Sequence, residues 1–217
     1  MRVVIAGGHG KIALRLSTLL SARGDEVIGI VRNPSHSTDL AEAGAEAAVV
    51  DLETAGVAEV ENVLRGADAA VFAAGAGPGS GVERKETVDR AAAGLFADAA
   101  SAAGVRRHLQ ISAMALERAD DPAVGEVFAA YLRAKAAAED DLRARDLDWT
   151  ILRPGRLTDE PGTGLVYLAG HTERADVPRD DVAAVLLALL DEPATIGTTL
   201  ELVSGDTAIA DAVAALR

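Results

Sequence analysis

The chain has 217 residues and 22.2 kDa, the length of one domain with at most a small added lobe. It contains no cysteine, which excludes disulfides, thiolate metal sites and a Cys nucleophile. Its formal charge of −13 disfavours general binding to nucleic acid or to anionic membranes, so a small molecule is the expected partner. The first apolar strand, Arg2–Ala6, runs straight into Gly7-Gly8-His9-Gly10, and a helical pattern follows over Gly10–Arg23. Strand and helix need different backbone conformations, and glycine permits the bend between them. The helix start then presents unpaired N–H groups and the positive end of its dipole, which attract a pyrophosphate. Gly7, Gly10 and Ala13 fit G-x-x-G-x-x-A, while Gly8, Gly10 and Ala13 fit G-x-G-x-x-G/A. A dinucleotide is expected on Gly7, Gly8, His9, Gly10, Lys11 and Ile12; the plainer alternative is a tight strand–helix turn.

The second strand, Glu26–Val31, ends in Arg32-Asn33-Pro34. An acidic residue there would accept from ribose hydroxyls and favour NAD, whereas Arg32 can pair with a 2′-phosphate. NADP(H) is therefore expected at Arg32 and Asn33, with NAD(H) less favoured and a solvated arginine as the plain alternative. A helix around Ser37–Ala43 leads to the third strand, Ala45–Val50, whose end places Asp51 and Leu52 beside the adenine. Asp51 could instead cap the next helix, near Thr54–Arg65. The fourth strand, Ala67–Ala73, puts Ala73, Ala74 and Gly75 at the cofactor and opens the glycine-rich loop Gly75–Gly81. Next come a helix over Val82–Ala103, a strand over Arg106–Ser112, a loop at Ala113–Gly125 and a helix over Val124–Arg145. The sixth strand, Trp149–Arg153, is followed by a loop, Pro154–Pro178, and by a helix over Pro178–Leu190. A strand at Thr199–Val203 and a helix at Thr207–Leu216 complete the chain.

Strand–helix alternation implies right-handed crossovers and a doubly wound, mostly parallel sheet of about seven strands with helices on both faces. The near-continuous apolar strands are typical of a sheet covered on both sides. Aromatic residues make up 3%, so the core must be built from Ala, Val, Leu and Ile. Gly24, Gly44, Gly66 and Gly104 fall at helix ends, where a left-handed cap favours glycine. The loops Gly75–Gly81, Ala113–Gly125 and Pro154–Pro178 all follow strand C-termini, where ligands bind in open α/β sheets.

Tyr131 and Lys135 lie four residues apart in Tyr-Leu-Arg-Ala-Lys, one turn apart on a helix face. A nearby ammonium is expected to stabilise the phenolate and lower the tyrosine pKa from about 10. The phenol would then give a proton to a carbonyl oxygen as hydride reaches the carbon. A solvated helix face would explain the pair equally well in isolation; Ser112 at a strand end adds weight. Asp176, Asp180 and Asp181 precede a helix and read as caps and dipole complements. Arg156 reads as solvated, and Trp149 as a core residue. The histidines His9, His36, His108 and His171 are scattered, so no metal site is expected. The first apolar run is too short for a signal peptide and no stretch nears the roughly 20 apolar residues that span a bilayer, so a cytoplasmic protein is expected.

The opening Ala-Gly-Gly-His-Gly-Lys-Ile-Ala, Val31–Pro34, Tyr131–Lys135 and Leu147–Gly155 carry a family likeness. The sequence resembles an atypical short-chain dehydrogenase/reductase, of the group that includes NmrA-like, biliverdin-reductase-B-like and flavin-reductase-like proteins. The resemblance implies a Rossmann-type fold over residues 1–217, with a small substrate lobe at 154–180. It implies that Ser112 orients a substrate carbonyl, that Tyr131 is the general acid/base, and that Lys135 activates it and holds the nicotinamide ribose. Asp89 falls where conventional members carry Asn, and Pro154 lines the nicotinamide pocket. The spacing of nineteen residues from Ser112 to Tyr131 exceeds the conventional one and makes room for an extra loop. The implied activity is NADP-dependent hydride transfer to a small carbonyl, quinone or flavin-like acceptor, by a monomer or small homo-oligomer. The alternatives are a non-catalytic NADP(H)-binding redox sensor and, less favoured, a sugar-nucleotide epimerase or dehydratase.

Overall fold

The computed structural model describes residues 1–77 and 79–216; Pro78, inside the expected glycine-rich loop, lies outside them. The chain runs β1 (Arg2–Ala6), α1 (Lys11–Arg23), β2 (Glu26–Val31), α2 (Ser37–Glu42), β3 (Glu46–Val49), α3 (Val57–Leu64) and β4 (Ala69–Phe72). A continuous helical segment follows, made of α4 (Val82–Arg84), a π-helical stretch at Lys85–Ala91 and α5 (Ala92–Ala102). Then come β5 (Arg107–Ile111), α6 (Glu126–Arg143), β6 (Asp148–Pro154), β7 (Arg156–Thr158), β8 (Leu165–Ala169) and β9 (Asp176–Pro178). The chain finishes with α7 (Arg179–Leu190), β10 (Thr198–Ser204), β11 (Thr207–Ala208) and α8 (Ile209–Ala214).

The main sheet has nine strands in the order β11-β8-β10-β6-β5-β4-β1-β2-β3. The seven expected strands form its parallel part, while β8 and β11 add an antiparallel edge. Parallel β7 and β9 make a small separate ribbon. Side chains alternate between the two faces of the sheet. Val3, Ile5, Val27, Val71 and Leu109 pack with Leu16 and Leu20 of α1 and Val182 and Leu186 of α7. Val4, Ala6, Ile28, Ala70 and Phe72 pack on the other face with Val60 and Leu64 of α3 and Phe96 of α5. Each such leucine or phenylalanine, buried on folding, contributes about 1.5–3 kcal/mol.

Gly24, Gly44, Gly66 and Gly104 all have left-handed φ, between 74° and 91°. Three expectations need correction. Thr207 and Ala208 pair with β8 before α8 begins, so the last helix starts at Ile209. The expected loop Pro154–Pro178 contains three short strands, of which β8 alternates buried and exposed residues. Asp180 and Asp181 sit in the first turn of α7 but make no side-chain cap. Asp180 instead pairs with Arg15, and Asp181 accepts from the N–H groups of Thr163 (3.0 Å) and Gly164 (2.8 Å). Asp176 pairs with Arg156.

Candidate active site

The turn after β1 is shaped by two close backbone approaches. Gly7 has φ 76°, and a Cβ there would lie 2.6 Å from the Cα of Ala74. A Cβ on Gly8 would lie 2.6 Å from the Cα of Gly29 in β2. The Gly8 N–H donates to the Ile30 carbonyl (2.9 Å), and the Gly10 N–H to the Gly7 carbonyl (2.8 Å). Gly10 caps α1 without a side chain, so the first-turn N–H groups of Lys11, Ile12 and Ala13 stay open. A side-chain-free turn meeting an uncapped helix start fits a pyrophosphate.

From this turn a cleft of about 310 Å³ runs past Arg32, Asp51, Leu52, Ala73, Ala74 and Gly75. Arg32 is exposed and donates to Glu53 Oε2 at 3.1 Å. Glu53 also accepts from Arg84 (2.7 Å) and Thr87 (2.6 Å). Those two donors, Arg84 foremost, hold the Glu53 carboxyl below its usual range against the opposing effect of burial. Two guanidiniums thus share one carboxylate at this end. Asp51 does not cap α3, whose N-cap is Gly56; its Oδ1 accepts from the Glu53 N–H (3.0 Å) and tightens the turn. Asn33 is absent from the cleft lining, and its Oδ1 accepts from the Ser35 N–H (3.0 Å). His9 stacks on His36 with ring centroids 3.6 Å apart, and its Nε2 lies 2.6 Å from Asp39.

A second cavity, of about 880 Å³, shares His9, Gly10, Ala73, Ala74 and Gly75 with the cleft. Ser112, Tyr131, Lys135, Asp89 and Pro154 all line it. All three loops expected at the site contribute, through Gly75 and Ser80, Ala113 and Met114, and Gly155 and Arg174. Lys135 is buried; its Nζ donates to the Ile111 carbonyl (3.1 Å) and lies 3.4 Å from Asp89 Oδ1. Burial lowers the Lys135 pKa, and the Asp89 charge opposes that shift. Asp89 Oδ2 accepts from the Ala76 N–H (3.3 Å). Ser112 Oγ is buried and makes no hydrogen bond of acceptable geometry, although it lies near enough to Glu139 to help hold that carboxyl low.

The Tyr131 phenol does not show the expected lowering. Its pKa is raised, first by burial and then by the Asp89 charge. Lys135 lies 5.9 Å from the ring centroid and is engaged by Asp89, so its positive field at the phenol is offset. Tyr131 is accordingly a neutral phenol, able to donate a proton.

The profile of the NAD(P)H-binding family matches residues 7–193, spanning the glycine turn, the cleft and α6. The chain belongs to the NAD(P)H-binding family. It is 37% identical over 214 residues to the uncharacterized sugar epimerase YhfK of Bacillus subtilis, covering 98% of this chain and 99% of the relative. Among solved structures, it is 35% identical to a Bacillus halodurans protein provisionally named an NAD-dependent epimerase/dehydratase, with TM-score 0.91 and 99% of each chain covered. The anaerobillin reductase ChuY of Escherichia coli O157:H7 is 26% identical, with TM-score 0.76 over 95% of this chain and 98% of that one. This NAD(P)H-binding protein is thus of the atypical short-chain dehydrogenase/reductase group.

Several residues of this NAD(P)H-binding protein's site escape a reading of the sequence. Glu53 and Arg84 meet across 31 positions of chain. Lys85, buried on the π-helical stretch, donates to the Gly77 carbonyl (3.0 Å) and lies 5.4 Å from the Tyr131 ring centroid. Glu139, fully buried, binds Arg153 (2.8 and 2.5 Å) and Arg143 (2.7 Å). Burial works to raise the Glu139 pKa, but these guanidiniums, Arg153 foremost, hold it below the usual range. A signal did exist for two of them: Lys85 stands four residues before Asp89 and Glu139 four after Lys135, the spacing of one helix face.

Proposed function

We propose that this protein is an NADP(H)-dependent oxidoreductase that reduces a small carbonyl, quinone or flavin-like acceptor. The observation that carries this reading is the shared lining: His9, Gly10, Ala73, Ala74 and Gly75 belong both to the cleft at Arg32 and to the cavity at Ser112, Tyr131 and Lys135. The glycine turn would hold the pyrophosphate of a dinucleotide, with Arg32 available to its adenosine end and Lys135 and Tyr131 to its nicotinamide end. The nicotinamide, when bound, supplies the hydride. Tyr131 would donate its proton to the acceptor oxygen as charge develops there, and the buried Ser112 hydroxyl, which lines the same cavity, would orient that oxygen. Lys135, anchored on Ile111 and Asp89, has donor capacity left for the nicotinamide ribose hydroxyls. Met114 and Leu157 line the cavity with apolar surface and limit water.

Preference for NADP rests on Arg32, whose exposed guanidinium shares Glu53 with Arg84. Arg32 and Arg84 face two carboxylates here, Glu53 and Asp51, so the preference rests on Arg32 being the more exposed guanidinium and free to swing to a 2′-phosphate. Calorimetry is expected to give tighter binding of NADP+ than of NAD+, with the preference falling about tenfold in Arg32→Ala, as loss of one charge-assisted contact implies. Equal affinities in the parent protein overturn the NADP assignment. The hydride-transfer reading is tested by following NADPH absorbance with menadione, FMN and simple aldehydes. Tight binding without oxidation of NADPH by any of them overturns it and favours a redox sensor. A second reading, epimerisation or dehydration, is favoured by the name of the Bacillus subtilis relative. It requires turnover of a sugar nucleotide with no net consumption of cofactor.

A further inference from the structure

The proposed hydride transfer makes no use of Lys85, and its surroundings are unusual for an ammonium. The residue is 7% exposed, yet no carboxylate among the described residues lies within ion-pairing distance of it. Asp89, four residues further along the same helical segment, is engaged by Lys135 at 3.4 Å. Lys85 has three donors, and one of them serves the Gly77 carbonyl at 3.0 Å. The Tyr131 ring face, 5.4 Å away, supplies the remaining compensation. A buried cation with so little compensation is unfavourable until an anion reaches it.

The rest of the cavity points the same way. Around Tyr131 there are two ammoniums, Lys85 and Lys135, and one carboxylate, Asp89. At the wall stands Arg174, exposed and without an ion pair among the described residues, whereas Arg156 and Arg179 are paired with Asp176 and Asp159. On a chain of formal charge −13, this is a local reversal of sign that draws anions in. Met114, Val127, Phe128 and Leu157 give the same cavity apolar walls. We propose that Lys85 binds an anionic substituent, a carboxylate or phosphate, on an otherwise apolar acceptor, so that charge as well as shape selects the substrate. This inference rests on the oxidoreductase reading and names the class of acceptor for it.

Riboflavin and FMN test it, because they share one redox-active ring and differ by a phosphate. With NADPH as reductant, the ratio of KM for FMN to KM for riboflavin is expected to rise about tenfold in Lys85→Met and to return towards the parent value in Lys85→Arg. If Lys85 only tethers the glycine-rich loop through Gly77, Lys85→Met weakens both flavins alike and the ratio stays put; that result overturns the proposal. Thermal melting reports whether Lys85→Met folds, and Lys85→Gln replaces it if it does not. Should the parent turn over neither flavin, only the flavin-like acceptor is ruled out, and the menadione and aldehyde assays decide the hydride-transfer reading separately. Flavin-fluorescence titration of the protein saturated with NADP+ then gives the same ratio as dissociation constants. A tenfold rise there upholds Lys85 as an anion site, while an unchanged ratio or no FMN binding overturns it.

Discussion

At the scale of single residues, the site depends on what is missing as much as on what is present. Gly8 faces the Cα of Gly29 so closely that a methyl group would lie 2.6 Å from it, and neither partner is a movable side-chain end. Gly8→Ala must therefore push the turn away from β2 and disturb the N–H groups set to meet phosphate. A fall of at least tenfold in dinucleotide affinity by calorimetry is expected, together with a loss of about 2 kcal/mol of stability, or roughly 4–8 °C in Tm. Gly56→Ala is the control, since its Cβ would meet nothing within 4 Å and its φ of −95° suits any residue. Equal effects of the two substitutions would sink the argument. Glycines in that turn could be picked out from the sequence because the run from strand to turn to helix is local. The Glu53 carboxylate between Arg32 and Arg84 could not, because its partners come from separate strands and helices.

At the scale of elements, α6 carries the residues of the proposed chemistry in one stripe. Tyr131, Lys135 and Glu139 recur every four residues, so they rise along one face. Glu139 is fixed from below by Arg153 of β6, and Lys135 sits on the last carbonyl of β5. The helix is thus pinned to the two strands whose ends form the cavity floor. Tyr131→Phe is expected to lower kcat/KM for an aldehyde acceptor by at least about 100-fold, the usual worth of a positioned acid. The loss with a flavin should be far smaller, because the ring accepts hydride directly and solvent supplies the proton. Equal losses for both acceptors would remove the phenol from the proton path. The Tyr-to-Lys spacing was legible in sequence, and so were the seven parallel strands, because both are short-period patterns. The expected activation of the phenol was not legible: it fails first through burial of the ring and then through Asp89, which reaches Lys135 from another helix. The two-residue β11 is too short to show any period, and the π-helical turn that carries Lys85 and Asp89 adds a residue without a compositional mark.

At the scale of the whole molecule, a buried histidine ties the fold to pH. His108 on β5 is 0% exposed, and neither ring nitrogen has a hydrogen-bond partner among the described residues. Burial, followed by the charges of Arg145 and Arg107, lowers its pKa from 6.5 to about 3. The unfolded chain binds a proton near pH 6.5, whereas the folded chain resists it down to about pH 3. This contribution to stability is therefore present above pH 6.5 and is lost as pH falls, at up to about 1.4 kcal/mol per pH unit. Urea unfolding of His108→Leu should lose stability less steeply than the parent between pH 6.5 and about 4, and matching slopes would refute the assignment. The sheet order carries a different kind of consequence. Neighbouring β4 and β1 divide it, so that β1 to β3 present the glycine turn and Arg32, while the segments after β4, β5 and β6 wall most of the larger cavity. On the proposed reading, substitutions in the second half would change the acceptor while the first half goes on holding the dinucleotide, and solved structures of this one fold bear names as different as epimerase/dehydratase and reductase.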